Sequence, residues 1–105
     1  MPNKKPQISY TRIREYAERF SWIDPKTNEP QVGYNPPENA IERERMPFNI
    51  VALDKDGNII RGRVICTEVN TSLHTRRIMF VNSGEFRWVS DVLIIEIDGV
   101  RFVTH

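Results

Sequence analysis

Several features that would assign this chain of 105 residues to a function class are missing from its sequence. It holds one cysteine, Cys66, and can therefore form neither an internal disulfide nor a zinc site built on several cysteines. No apolar run approaches the ~20 residues that a membrane span requires, and charged residues interrupt the stretch 8–20, which excludes a signal-peptide core there. Together these absences predict a protein of the reducing cytoplasm.

Residue groups that perform catalysis or hold cofactors are also scarce. The five glycines are scattered, so no glycine-rich phosphate loop exists, and the two histidines, His74 and His105, do not make a metal set. A nucleophile pair of Cys66 and His74 would lack both an orienting third group and an oxyanion-hole motif. The sequence therefore predicts a protein that is not an enzyme and that binds no metal ion or cofactor.

Proline is absent from the second half of the chain. All seven prolines lie within the first 47 residues, where 14 residues are hydrophobic, whereas 27 of the remaining 58 residues are hydrophobic. The first part is rich in helix and strand breakers and poor in core-forming side chains. This contrast predicts an N-terminal arm over residues 1–47 and a packed domain over residues 48–105.

The arm contains one helical pattern. Tyr10, Ile13, Ala17 and Phe20 are spaced as one face of an amphipathic helix near residues 10–20. After it, two short stretches around a turn of Asp, Pro, Thr and Asn predict a loose hairpin that includes Trp22. Residues 35–38 resemble a helix start, and residues 40–45 could continue that helix for one or two turns.

From residue 48 onward the pattern is typical of short antiparallel strands. Turn sequences at residues 54–58, 82–85 and 98–99 separate apolar stretches that alternate with polar residues, which predicts three hairpins. The first turn begins like a calcium loop, but the required glycine and bidentate glutamate are missing, so a plain turn is favoured. We therefore expect a mainly β protein (all-β or α+β), whose five or six antiparallel strands form a small barrel of SH3-like size or a rolled sheet.

Strand alternation divides the apolar side chains of this domain into two sets. The set expected to form the core is Ile50, Val64, Cys66, Ile78, Phe80, Trp88, Leu93, Ile95, Ile97 and Phe102. A second set comprises Val51, Leu53, Ile65, Met79, Val89 and Ile94. Because a barrel with a solvated outer face would not need this second set, we expect the arm residues Tyr10, Ile13, Phe20 and Trp22 to cover part of it. The arm could instead dock on another protein.

Arginines concentrate in the middle of the predicted strands. Arg61, Arg63, Arg76, Arg77 and Arg87 outnumber the nearby acids Glu68 and Glu85. Four of them, all but Arg76, could share one outer sheet face and bind an anionic partner beside Phe86 or Trp88. The alternative is an ordinary solvated strand face, with both rings in the core.

The sequence thus favours a non-enzymatic protein-interaction or assembly module, with a protein partner or self-association through the arm. A nucleic-acid-binding accessory protein that uses the five arginines is the alternative, although a net charge of +1 argues against a wholly basic surface.

Overall fold

A computed structural model describes residues 10–102, and the side chains of residues 12–102. In chain order the elements are α1 (Tyr10–Ala17), β1 (Arg19–Asp24), β2 (Glu29–Tyr34), β3 (Ile41–Arg45), β4 (Phe48–Leu53), β5 (Ile59–Asn70), β6 (Thr75–Phe80), β7 (Phe86–Ser90), a 3-10 turn (Asp91–Leu93), β8 (Ile94–Ile97) and β9 (Val100–Arg101). The protein is mainly β, as predicted.

The strands form two antiparallel sheets. A small sheet has the order β2-β1-β3, and a larger one has the order β7-β6-β5-β4-β8-β9. All three hairpins predicted after residue 48 are present, as is the earlier hairpin of β1 and β2. In the described residues β7 and β9 do not pair with each other, so the larger sheet stays open and the closed barrel was a wrong prediction.

Of the two helices predicted in the arm, the first is shorter than expected and the second is a strand. Helix α1 ends at Ala17, and Phe20 lies in β1 opposite Gly33 and Arg45. The predicted helical turn over residues 40–45 is instead strand β3, and Asn35 has a positive φ of 60°, which does not suit a helix cap. A short helix over residues 40–45 would have few apolar side chains to bury. As a strand, the same segment forms backbone hydrogen bonds with β1.

The hydrophobic core lies between α1 and one side of the six-stranded sheet. Ile13 and Ala17 of the helix are fully buried in it, so the helix packs on its own chain. The core also contains Phe48, Ile50, Ala52, Ile60, Val64, Cys66, Ile78, Val89, Ile94, Ile97 and Phe102. Tyr16 packs edge-on against Phe102 with their ring centroids 5.5 Å apart, which fastens the helix to the segment that follows β9.

Three predicted core residues are placed differently. Trp88 is half-exposed, because its neighbour Val89 is the residue that faces the core opposite Arg76. Leu93 and Ile95 are only half-buried, whereas Ile94 and Ile97 are fully buried. Leu93 lies in the 3-10 turn. Ile95 is displaced because the register of β8 against β4 shifts there, which breaks the two-residue alternation between Ile94 and Ile97.

Candidate binding face

One side of the six-stranded sheet is not part of the core. On β6, Arg76 and Ile78 are buried, so Arg77 and Met79 between them project to the opposite side. The register with the neighbouring strands then assigns each position to a side. We define the outer face as the side that carries Asn49, Val51, Leu53, Ile59, Arg61, Arg63, Ile65, Glu68, Arg77, Met79, Phe86, Trp88, Glu96 and Arg101.

Two aromatic rings stand at the β7 edge of the outer face. Phe86 is 54% exposed and Trp88 is 50% exposed, opposite Met79 and Arg77 respectively. Single exposed apolar side chains are ordinary, but these two rings adjoin the partly exposed Met79 and Ile65. The result is a continuous apolar strip bordered by arginines, a feature that marks interaction sites.

Arg77 is held in a fixed position beside these rings. Its guanidinium lies 4.7 Å from the centroid of the Phe86 ring, and its Nε donates to Thr67 Oγ1 at 3.0 Å. Thr67 sits at an irregularity between Cys66 and Glu68, where β5 shifts register against β6. Glu68 lies 3.7 Å from Arg77 Nη2. Because it is braced on three sides, Arg77 would lose little conformational entropy when a partner binds.

Arg61 and Arg63 extend the outer face along β5. Both are exposed, and neither side chain has an ion-pair or hydrogen-bond partner within residues 12–102. They lie opposite Val51 and Asn49. The outer face thus joins apolar and aromatic groups with arginines and contains no lysine, a composition typical of the centres of protein interfaces.

Arg76, the fourth predicted binding residue, points away from the outer face into the core. Its side chain is fully buried and donates to both carboxylate oxygens of Asp91, at 2.8 and 3.1 Å. Its Nη1 donates to Glu18 Oε2 at 2.9 Å, and the Cys66 sulfur lies 3.7 Å from the same nitrogen. Burial by itself lowers the pKa of Arg76, but the hydrogen bonds and charge of Asp91 more than offset this, so its pKa is raised. Arg76 therefore joins α1 to the sheet.

Arg87 also lies on the other side of the sheet. It is opposite the buried Ile78, at the sheet edge, with its Nη1 4.0 Å from Asp54 Oδ2. Of the four arginines expected to share one face, the structure brings together Arg61, Arg63 and Arg77 and leaves out Arg87.

The residues of the predicted interaction arm lie in different environments. Ile13 is buried in the core, Phe20 is half-buried with the Arg45 guanidinium 4.5 Å from its ring centroid, and Trp22 is half-buried. A Cβ added at Gly33 would lie 3.2 Å from the Trp22 ring, so the glycine makes room for the indole. The Tyr10 side chain lies outside the described residues.

The other side chains considered for catalysis or metal binding, Cys66 and Asp54, contribute to the fold. Desolvation raises the pKa of the buried Cys66 thiol, which keeps it in the protonated, weakly nucleophilic form at neutral pH. In the turn between β4 and β5, Asp54 Oδ1 accepts hydrogen bonds from the backbone N–H groups of Asp56 and Asn58 at 2.9 and 2.8 Å, so this carboxylate closes the turn. Within the described range, no group of three or more His, Cys, Asp or Glu residues could hold a metal ion.

Sequence reasoning missed the ion network of Glu18, Arg76 and Asp91. One signal was present in the sequence. Arg76, Ile78 and Phe80 are alternate residues of the same predicted strand, so Arg76 should point to the same side as the other two, which were both assigned to the core. The partners could not be found in this way, since Glu18 and Asp91 lie 58 and 15 positions away in sequence.

Comparison with known proteins gives no match: no protein-family model, curated protein or solved structure corresponds to this chain. Within residues 10–102, no helix combines the length and apolar character needed to cross a membrane.

Proposed function

We propose that this protein is a non-enzymatic assembly module that associates with a second copy of itself through the outer face. The observation that carries the proposal is the apolar strip of Phe86, Trp88, Met79 and Ile65, bordered by Arg77 and uncovered by α1 or the small sheet. Trp and Arg are the residues most often responsible for binding energy at protein interfaces.

The size of the outer face suits such an association. Six strands about 4.8 Å apart and about six residues long span roughly 25–30 Å by 20 Å. Side chains make the accessible area larger than this flat area of about 500–600 Å². A stable protein interface requires about 800 Å² of accessible surface from each partner, which is of the same order.

The charges of the outer face favour a second copy as the occupant. Arg61 and Arg63 lie on β5. Glu96 lies on β8, opposite Val51 of β4 and the exposed Arg101 of β9, and forms no ion pair with a described residue. In a two-fold dimer, each copy presents the same face, so arginines of one copy can lie opposite acids of the other. A face with charges of both signs can pair with itself in this manner.

Analytical ultracentrifugation of the wild type, Trp88→Ser and Leu73→Ser tests this function. Leu73 is 67% exposed in the turn between β5 and β6, so its variant removes a comparable apolar group away from the outer face. We expect the wild type and Leu73→Ser to dimerise alike as concentration rises. Loss of a tryptophan that acts as a binding hot spot costs about 2 kcal/mol or more. A two-fold dimer loses both copies of it, so Trp88→Ser should dimerise roughly a thousandfold more weakly. A wild type that stays monomeric, or a Trp88→Ser variant that dimerises equally, would contradict the proposal.

A second candidate function is the binding of single-stranded nucleic acid by the same face. The observation that favours it is the placement of Arg77 against the Phe86 ring next to Trp88, with Arg61 and Arg63 nearby, since cations beside exposed rings serve as stacking platforms. Binding to a labelled single-stranded oligonucleotide would then weaken with salt, and Arg63→Gln should reduce the salt slope by about one contact. Equal binding by wild type and Arg63→Gln would remove this candidate.

The remaining features of the proposed module come from the sequence. It needs no cofactor and works in the cytoplasm. The SH3-like character of the domain, in a sheet that is not closed into a barrel, stays a prediction, and the proposed association does not depend on it.

A further inference from the structure

A second site, separate from the outer face, lies between helix α1 and the small sheet. A pocket of about 290 Å³ is lined there by three arginines, Arg14, Arg43 and Arg45, by the rings of Phe20 and Tyr34, and by a single acid, Glu18. Cationic side chains thus outnumber acidic ones three to one in its wall.

Arg45 carries a charge that nothing in the described residues neutralises. It is half-buried, its Nη1 is buried without a hydrogen-bond acceptor, and it has no carboxylate partner there. Its guanidinium lies 4.5 Å from the centroid of the Phe20 ring, and Arg45 lines the pocket. A half-buried cation without an anion is costly, so an anionic ligand would relieve it.

The other two arginines are positioned by their surroundings. The Arg14 guanidinium lies 5.6 Å from the centroid of the Tyr34 ring and 3.7 Å from Glu18. Arg43 is braced by backbone carbonyls: its Nε donates to Ala40 at 3.2 Å, and its Nη2 donates to residues 37 and 38 at 3.2 and 2.7 Å. Groups held in this way need little reorganisation to receive a ligand.

The charge balance points to a dianion. The three arginines and Glu18 give the wall a net charge of +2, and Glu18 is shared, since it also accepts from the buried Arg76 at 2.9 Å. A carboxylate ligand would neutralise only one of these charges. A phosphate group carries about −1.5 to −2 near neutral pH and has several acceptor oxygens, which suits several guanidinium groups.

We propose that this pocket binds a phosphate dianion, either free phosphate or the phosphate group of a small phosphomonoester. Arg45 is the principal ligand, and Arg14 and Arg43 complete the site. The site is independent of association through the outer face, so either proposal can fail without the other.

Isothermal titration calorimetry in chloride buffer at matched ionic strength tests the proposal, with inorganic phosphate, O-phosphoserine and acetate as ligands. We expect the wild type to bind both phosphates at one site and acetate at least tenfold more weakly. Tighter binding of O-phosphoserine assigns a phosphomonoester as the occupant, whereas equal or weaker binding assigns free phosphate. Acetate binding as tight as phosphate binding would overturn the proposal.

Variants connect the binding to the pocket. Arg45→Gln removes the guanidinium and its charge but keeps a polar side chain, so it should weaken phosphate binding about tenfold or more, as loss of a charge-assisted hydrogen bond does. Arg14→Gln is a second variant at a more exposed position, and the same loss is expected. Arg87→Gln, at the edge of the sheet and outside both the pocket and the outer face, is the matched control and should bind like the wild type. Unchanged binding by Arg45→Gln and Arg14→Gln, or no phosphate binding by the wild type, would refute the site.

Discussion

Replacing Asp91 by alanine removes the carboxylate that holds Arg76 inside the protein. The two side chains are joined by hydrogen bonds of 2.8 and 3.1 Å and are 5% and 0% exposed, respectively. In Asp91→Ala the Arg76 Nε and Nη2 would lose their acceptors where water has little access. The contacts of Nη1 with Glu18 Oε2 and the Cys66 sulfur would remain.

The expected cost follows from the burial of this pair. Removing one partner of a buried ion pair destabilises a protein by about 3–5 kcal/mol, and the remaining Glu18 contact places this variant near the lower limit. For a domain of this size, 1 kcal/mol corresponds to roughly 4 °C or more in the midpoint of thermal unfolding. Asp91→Ala should therefore lower that midpoint by about 12 °C or more.

Urea and thermal unfolding followed by circular dichroism measure this loss. Asp98→Asn is the matched control, since it removes the charge that pairs with Arg19 at 2.7 Å, where both side chains are about one-third exposed. Asparagine can still accept the Asn49 backbone N–H and tolerates the positive φ of this position, so we expect a cost of only ~1 kcal/mol. The double variant Arg76→Met/Asp91→Leu removes both charges and should be more stable than Asp91→Ala. If Asp91→Ala cost no more than Asp98→Asn, the buried network would not fasten the helix to the sheet as we describe.

Two further predictions concern the packing of the helix and the first hairpin turn. Ile13→Ala should lower the free energy of unfolding by about 2–5 kcal/mol, because Ile13 is fully buried in the core; a cost below ~1 kcal/mol in urea unfolding would show that α1 is not docked on the sheet. The backbone hydrogen bond from Asn58 holds the pKa of Asp54 below its ordinary value of 3.8. Its ionised form therefore stabilises the fold above that value, and the stabilisation is lost as pH falls from 3.8 through the lower folded pKa. The difference in unfolding free energy between wild type and Asp54→Asn should be constant at higher pH and change only in that acidic window; a change near neutral pH would contradict this assignment.

The hairpins could be predicted from the sequence because their signals are local. The turns 54–58 and 98–99 contain the Asp and Gly residues that such loops require, and Gly57 and Gly99 both have positive φ, 84° and 83°. Each hairpin depends on a few adjacent residues. The structure therefore has the strands close to where the pattern indicated.

The open sheet and the outer face could not be predicted in this way. Whether β7 and β9 meet depends on the twist and stagger of six strands, which no short pattern contains. Trp88 was assigned to the core because large rings fill small barrels, and once the sheet is open this reason disappears. The phosphate pocket was missed as well, since Arg14, Arg43 and Arg45 come together only through the pairing of β3 with β1 beside the helix.

The environment of Trp88 during association tests the central proposal most directly. The chain has two tryptophans, so Trp22→Phe leaves Trp88 as the sole indole, and Trp88→Phe leaves Trp22 as a control. If the outer face is the interface, the fluorescence of Trp88 should shift to shorter wavelength as concentration rises and dimers form, while that of Trp22 stays constant. Trp88 emission that keeps its solvent-exposed maximum while the protein dimerises would contradict the account.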